Sequence, residues 1–359
     1  MTNRKHYLDN LRTIAVLMLL PQHTFMLFNN WGENWYIHST DLLLPSVLKM
    51  INSFWMMPLL FTIAGISSRY ALDNRSAGGY VKERVHKLLA PLIFGLLLIV
   101  PVQSFIAGSF WNGSAGYFDS FTKLTDFSGY DGAFAFGHLW FLLFLFMIAL
   151  VTLPFLLLYK KKGKGTFGEN VPLICVILLG LLPLPGRLAF DISGISPLEY
   201  MAYFLLGYFL LTNESILEKL DKYRFFLTGL FILGAGFFTY LFLMPFREGS
   251  WLALPIFMYL IPVLVQAVSW FAVLGFVGLS RHYLNFSGKI TTYLSKSSFG
   301  VYMFHQSWIV VTGFFILKLT ERPGLQYPLV LLSAATLTFL TYEITRRIPP
   351  LRWMFGLKK

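Results

Sequence analysis

Charge is scarce in this chain. Of 359 residues only 13% are Asp, Glu, Lys or Arg, and just 17 are acidic. A soluble domain carries about 25%, so an ordinary water-soluble globule is excluded. Cysteine occurs once, as Cys175 in an apolar run. It cannot form an internal disulfide, and a thiol in that setting is expected to be inert packing. No cluster of Cys or His has the spacing of a metal site, so no metal is expected. The net charge is +12, but no basic-aromatic nucleic-acid motif accompanies it, and nucleic acid is not an expected partner. No small-residue cleavage site follows the first hydrophobic segment, which is therefore expected to be a retained helix. No internal repeat is visible.

What the chain does have is apolar length: 56% hydrophobic residues, 18% aromatic, and mean hydropathy +0.63. That composition belongs to an all-α, polytopic membrane protein whose partner is the lipid bilayer. About ten transmembrane helices are expected, near 11–30, 47–67, 88–107, 136–158, 171–186, 197–212, 225–245, 253–279, 298–317 and 326–345. With both termini in the cytoplasm, 23 of the 29 Lys and Arg residues fall on the inner side, as the positive-inside rule requires. The six outer ones are Lys49, Lys123, Arg187, Arg247, Lys318 and Arg322. The KKKGKG run at 160–165 reads as a topogenic inner loop, with anionic lipid contact as the lesser reading. The longest outer loop, about 108–135, is rich in Gly, Ser, Asp and aromatics. It is either a connector or a surface for a polar sugar.

Arg12 and His23 stand inside the first hydrophobic segment, LDNLRTIAVLMLLPQHTFMLF. A helix advances about 1.5 Å and 100° per residue, so the two share a face about 16 Å apart along the axis. Ionisable groups are costly in a membrane helix and normally face a protein interior or a wet cavity. A buried histidine bonded to a neighbouring helix is the plain reading. Pro21 adds a bend and frees a backbone carbonyl two residues before His23, and an imidazole in such a cavity suits general-base work on a hydroxyl.

The loop KERVHKLLAPL places Arg84 and Lys87 three residues apart. They are either positive-inside charge or a phosphate clamp, and Arg12, Arg69 and Arg75 are expected on the same membrane face. GHLWFLLFLF brings His138 and Trp140 to the outer start of the fourth span. FGVYMFHQSWIV brings Tyr302, His305 and Gln306 into the ninth; three hydrogen-bonding side chains in one apolar span exceed what packing needs, although they also fit as mutual partners. Near the C-terminus Glu343 precedes Arg346 by three residues, the spacing of a local ion pair.

In these segments the chain resembles the acyltransferase 3 family of integral membrane acyltransferases. YLDNLRTIAVLMLLPQH matches the family's R-x10-H pattern through Arg12 and His23. RVHKLLAP is similar to its basic R-x-x-R loop, with Lys87 in place of the second arginine, which keeps the charge but not the planar fork. HLWFL, VYMFHQ and YEITRRIPPL resemble further family blocks, and within the family the likeness leans to the branch that succinylates periplasmic glucans. The resemblance implies a single membrane-embedded acyltransferase domain over 1–359, without the soluble SGNH-like domain some members carry, in the bacterial inner membrane. It implies transfer of an acetyl or succinyl group from cytosolic acyl-CoA to a hydroxyl of a cell-envelope glycan. No permanently bound cofactor is expected, since acyl-CoA is a donor substrate. On this reading His23 and His305 are catalytic. Arg12, Arg84 and Lys87 hold the nucleotide phosphates, and His138, Trp140, Tyr302 and Gln306 bind substrate. A succinyl group would want an extra basic group near the reaction centre, which Arg187, Arg247 or Arg322 would supply only where outer loops fold inward. The rival reading is a proton-coupled or glycan or drug transporter, whose helices also carry Arg and His. A third is a non-catalytic subunit of an envelope assembly.

Overall fold

Proline sets the local breaks in these helices. Pro21 has no N–H to give to the carbonyl four residues back, Leu17, and the first helix is interrupted there. α1 (His6–Leu17) ends, α2 (Leu19–Phe25) begins, and a short 3-10 turn (Met26–Phe28) completes the segment. The same arithmetic acts at Pro91, whose missing N–H would have gone to Lys87. Between α4 (Ala77–Arg84) and α5 (Ala90–Leu98) the backbone widens into a π turn over Val85–Leu89, closed by the Ala90 N–H on the Val85 carbonyl.

The computed structural model describes residues 5–30, 35–123, 127, 129–130, 132–161, 171–192, 194–243 and 255–357. Most of the 160–165 basic run and Arg247 lie outside the described residues, as do five positions of the 108–135 loop. Further along the chain come α3 (Leu43–Asn74) before α4, then α6 (Val100–Trp111), α7 (Trp140–Lys161), α8 (Leu173–Leu178), α9 (Pro183–Ala189), α10 (Pro197–Phe209) and α11 (Glu214–Lys222). They are followed by α12 (Arg224–Leu243), α13 (Pro255–Tyr283), α14 (Lys289–Leu319), α15 (Pro323–Arg347) and α16 (Pro349–Met354). No strand occurs among the described residues. Eight helical segments there are long and apolar enough to cross a membrane. Leu173–Ala189 is shorter, and α10 has 13 residues; these two correspond to the fifth and sixth spans expected from the sequence. Cys175 differs from its expectation: it is exposed, because α8 turns Val176 inward instead.

The chain divides into two units. The first comprises Met1–Arg12, Met50–Ala77 and Val151–Ser287. Its helices approach through glycine, the usual device where hydrophobic burial cannot drive association. A Cβ on Gly65 would lie 1.9 Å from the Phe204 carbonyl oxygen, and one on Gly207 would lie 2.1 Å from that of Thr62. Backbone therefore meets backbone between α3 and α10 at two levels. Trp270 packs on Gly180 and donates its indole N–H to the Val176 carbonyl at 2.9 Å. At the N-terminus Asn10 donates to the carbonyls of Leu284 and Phe286 at 2.7 and 2.9 Å. Lys5 and Arg281 both pair with Glu214 on the amphipathic α11.

The second unit comprises Thr13–Lys49, Gly78–Leu150 and Gly288–Lys359. α14 is its central helix and packs against α2, α6 and α15. Gly300 lets the Tyr342 ring of α15 lie on its backbone, and Gly313 receives Leu27 and Ile37. Glu343 binds Arg346 at 2.8 Å, the ion pair expected from the sequence, and also takes Arg347 and the Tyr293 hydroxyl, each at 3.0 Å.

Two outcomes test this packing. Gly207→Leu forces side-chain volume into the Thr62 backbone and is expected to cost about 1–3 kcal/mol, read as a lower melting temperature in detergent. The Arg281 guanidinium holds the Glu214 carboxyl below the ordinary carboxylate range. Its contribution is complete above the unfolded-state pKa and fades as pH falls through the lower folded value. The stability gap between wild type and Glu214→Gln should therefore be constant from neutral pH downward and close below about pH 4.

Candidate functional site

A polar cluster lies in the apolar interior of the second unit. It is built from α2, α6, α14 and the start of α7. Its core is a pair of histidines. Nδ1 of His23 and Nε2 of His305 are 2.8 Å apart. Their rings are nearly parallel, at 9°, with centroids 4.9 Å apart. That spacing is the nitrogen-to-nitrogen distance plus two ring radii, so the rings meet edge to edge in a common plane, the geometry of a hydrogen bond. Two imidazoles on one tetrahedral metal would hold their nitrogens about 3.3 Å apart. Among the described residues no group of His, Cys, Asp and Glu is arranged for a metal.

The proton positions follow from the neighbours. Nδ1 of His305 faces the carbonyls of Val301 at 3.0 Å and Tyr302 at 2.8 Å. Carbonyls only accept, so Nδ1 carries the hydrogen and, in the neutral ring, Nε2 accepts. The bond to His23 is then donated by His23 Nδ1–H, and the lone pair of His23 lies on Nε2. No protein partner meets that nitrogen among the described residues. His305 is fully buried, whereas His23 keeps part of its surface accessible. His23 is the member of the pair that a reactant can touch.

His138 is fixed in the same way. Its Nε2–H donates to the Met303 carbonyl at 3.0 Å, which leaves Nδ1 to accept from the Gln103 amide at 3.4 Å. The ring stands edge-on to His305, with centroids 5.1 Å apart. Tyr302 donates its hydroxyl to the backbone carbonyl of His138 at 2.7 Å. Gln103 is the hub: its amide also donates to the Ser307 hydroxyl at 2.8 Å, and its carbonyl accepts from Gln306 at 2.9 Å. A cluster satisfied in this way is rigid, because each buried polar atom that lost its partner would be costly.

Backbone detail makes the cluster possible. Gly137, immediately before His138, has φ of +52°, a left-handed value that suits glycine. A Cβ there would press on the Gln103 carbonyl at 3.2 Å and the Tyr36 hydroxyl at 3.4 Å. His23 is carried on α2, two residues after Pro21. Trp35 lies beside His23, with centroids 6.2 Å apart; its own carbonyl takes the Trp111 indole N–H at 2.9 Å.

Residues 5–343 match the family model described as an acyltransferase domain, Acyl_transf_3. The chain belongs to the acyltransferase 3 family. This acyltransferase is also similar to glucans biosynthesis protein C of Salmonella paratyphi B (strain ATCC BAA-1250 / SPB7) and of Salmonella enteritidis PT4 (strain P125109). Each is 23% identical over 380 residues, covering 99% of this chain and 95% of the relative. No solved structure matches the chain. With its run of apolar helices, the acyltransferase is a multi-pass membrane protein.

Of the residues selected from sequence, His23, His138, Tyr302, His305 and Gln306 converge in the cluster. The Trp140 ring packs on Phe141 and Phe144. Arg84 and Lys87 border the π turn, where Arg84 stacks on Tyr80, 4.6 Å from the ring centroid, and Lys87 pairs with Glu83. α16 docks nearby, with Trp353 against His86 at 6.0 Å. Arg12 belongs to the first unit and pairs with Asp9 at 3.0 Å. Arg187 is paired with Glu199 at 3.7 Å. Sequence reasoning missed Gln103 and Ser307, and it missed Trp35. Gln103 had a signal, a lone amide inside the apolar stretch VPVQSFIAG. Trp35 sits in a loop whose approach to His23 no local pattern encodes.

The two histidines make different demands on a replacement. Gln at 305 places a carbonyl oxygen near the original Nε2, whereas Leu offers no acceptor. His305→Leu is expected to lower acyl transfer about 100-fold through misorientation of His23, and His305→Gln to recover a large part of that loss. Equal loss in both, measured as product formed per folded protein, would show that the acceptor is not what matters.

Proposed function

We propose that this acyltransferase moves an acetyl or succinyl group from cytosolic acyl-CoA to a hydroxyl of a glycan at the outer face of a bacterial inner membrane, with both termini in the cytoplasm. The observation that carries this reading is the lone pair on Nε2 of an accessible His23, which no protein group meets among the described residues and whose ring is anchored through Nδ1 by His305. The Salmonella relatives are named for the biosynthesis of glucans, which suggests the glycan class. The sidedness rests on the distribution of Lys and Arg.

The chemistry is thioester exchange. The acceptor hydroxyl loses its proton to His23 Nε2 as its oxygen attacks the thioester carbonyl. The C–S bond breaks, and the proton passes to the departing thiolate, giving an ester and free CoA. In this direct route His23 is a general base. In the two-step route Nε2 itself takes the acyl group and then passes it to the hydroxyl. Both routes need Nε2 unprotonated and aimed, which the anchored Nδ1–H supplies. As His23 becomes cationic its bond to His305 becomes charge-assisted and strengthens. Arg12, Arg84 and Lys87 are the proposed phosphate-binding residues. A polyanion binding there would compete with Glu83 for Lys87. His138, Tyr302 and Gln306 hold the wall of the site, and Trp140 is proposed as a further contact to the acceptor.

His23→Ala is expected to abolish acyl transfer, by at least about 100-fold, while the protein still inserts and melts normally. Purified wild type given acetyl-CoA or succinyl-CoA is expected to release CoA in the presence of a glucan. Mass spectrometry of the glucan then gives the acyl group. Transport without CoA release, or full activity of His23→Ala, would sink the proposal. Hydroxylamine-labile label on His23 after donor alone separates the two-step route from the direct one.

A further inference from the structure

Within the first unit there is a cavity of about 520 Å³ that no histidine lines. Its walls come from α7, α10 and the segment joining α8 to α9, and include Tyr159, Leu179, Leu182, Ala202, Leu205 and Phe209. Apart from the Tyr159 hydroxyl these side chains are hydrocarbon. The volume lies in the range of small-molecule sites. From Ala202 to Leu210 the cavity follows α10 for about 12 Å, most of the hydrocarbon depth of one leaflet.

The cavity is polarised. Tyr159 lies at one end of it, and the Arg69 guanidinium stacks on that ring at 5.2 Å and on Tyr208 at 5.3 Å. Lys160, next in sequence to Tyr159, reaches the Leu72 carbonyl near the end of α3, and Lys161 closes α7. Asp73, 3.9 Å from Arg69, offsets one of these three positive charges and leaves an excess of two. A hydrocarbon slot with a cationic, phenol-bearing end is complementary to a molecule with an anionic head and an apolar chain.

We propose that this cavity binds one acyl chain of an anionic phospholipid, whose phosphate lies at the Arg69–Lys160 end. The site is independent of the acyl-transfer reading, since none of its residues is used there. Its occupant stiffens the contact between α7 and α10, because an empty slot of this size would forfeit the packing of its walls.

The experiment uses the full-length protein reconstituted in vesicles of equal phosphatidylglycerol and phosphatidylcholine with identical chains. It is then stripped with mild detergent to the last retained lipids, which are counted by native mass spectrometry. Wild type is expected to retain phosphatidylglycerol in about thirtyfold excess, about fivefold for each of the two uncompensated positive charges at an anionic lipid surface. Arg69→Gln should bring the ratio toward unity while a lipid is still retained. Ala202→Trp, and more mildly Leu205→Phe, should fill the slot and remove that lipid, with circular dichroism melting to confirm the fold. Inorganic phosphate in excess should leave the lipid in place, since the chain anchors it. Equal retention of the two lipids by wild type, an unchanged lipid count in both folded filling variants, or displacement by phosphate alone would overturn the proposal.

Discussion

The hydrogen bond between His23 and His305 is the constraint from which the rest of the site follows. Its direction is not free. Two backbone carbonyls behind His305 take the only hydrogen that ring carries when neutral, so His305 can only accept from His23. The lone pair of His23 is thereby placed on the one nitrogen that no protein group meets among the described residues. In a medium of low polarity, reversing this arrangement would set the Nδ1 lone pair of His305 against two carbonyl oxygens and leave that buried nitrogen without a donor, a cost of about 1–3 kcal/mol. The interior thus selects one tautomer without any carboxylate, which would itself be expensive to bury in a membrane.

The helices are arranged to serve that bond. α2 carries His23, and α14 presents His305 at the level where His23 lies. Glycines allow this closeness: Gly313 accepts Leu27 and Ile37, and Gly137 bends the chain so that His138 can face Met303. On the far side of His305 the rings of His138 and Tyr302 and the amides of Gln103 and Gln306 form a layer with internally paired polar groups. Such a layer resists deformation, and a ring held by it keeps its angle while a substrate comes and goes.

Much of this is legible in the sequence, for reasons that can be named. Apolar length and the placement of basic residues fix the helices, because a bilayer leaves a chain few alternatives. His23, His138 and His305 stand out because an ionisable ring inside an apolar run needs a justification. Their convergence is not legible, since His23 and His305 are 282 positions apart and no local period couples them. Gln103 escapes notice for the same reason, although its amide is as anomalous in its helix as His305 is in α14. Pro21 does mark a break, but the interruption falls four residues earlier, at the carbonyl it cannot serve. The π turn at Val85–Leu89 is hidden because the effect of Pro91 on Lys87 emerges only when the backbone is traced.

The same tautomer logic bears on whether such a cluster could move protons for transport. A relay of histidines works by exchanging hydrogens along the chain, each ring giving from one nitrogen what it receives at the other. Here His305 and His138 each have both nitrogens engaged with fixed partners, and for each the donated hydrogen goes to a backbone carbonyl, which cannot pass it on. Proton exchange along the row would therefore require the backbone contacts of α14 to break at every step. Only His23 Nε2 can gain and lose a proton without disturbing its neighbours. A site with one free basic nitrogen and a rigid polar backing is matched to a reaction that borrows a proton once per turnover and returns it at the same atom, as acyl transfer between a thioester and a hydroxyl does.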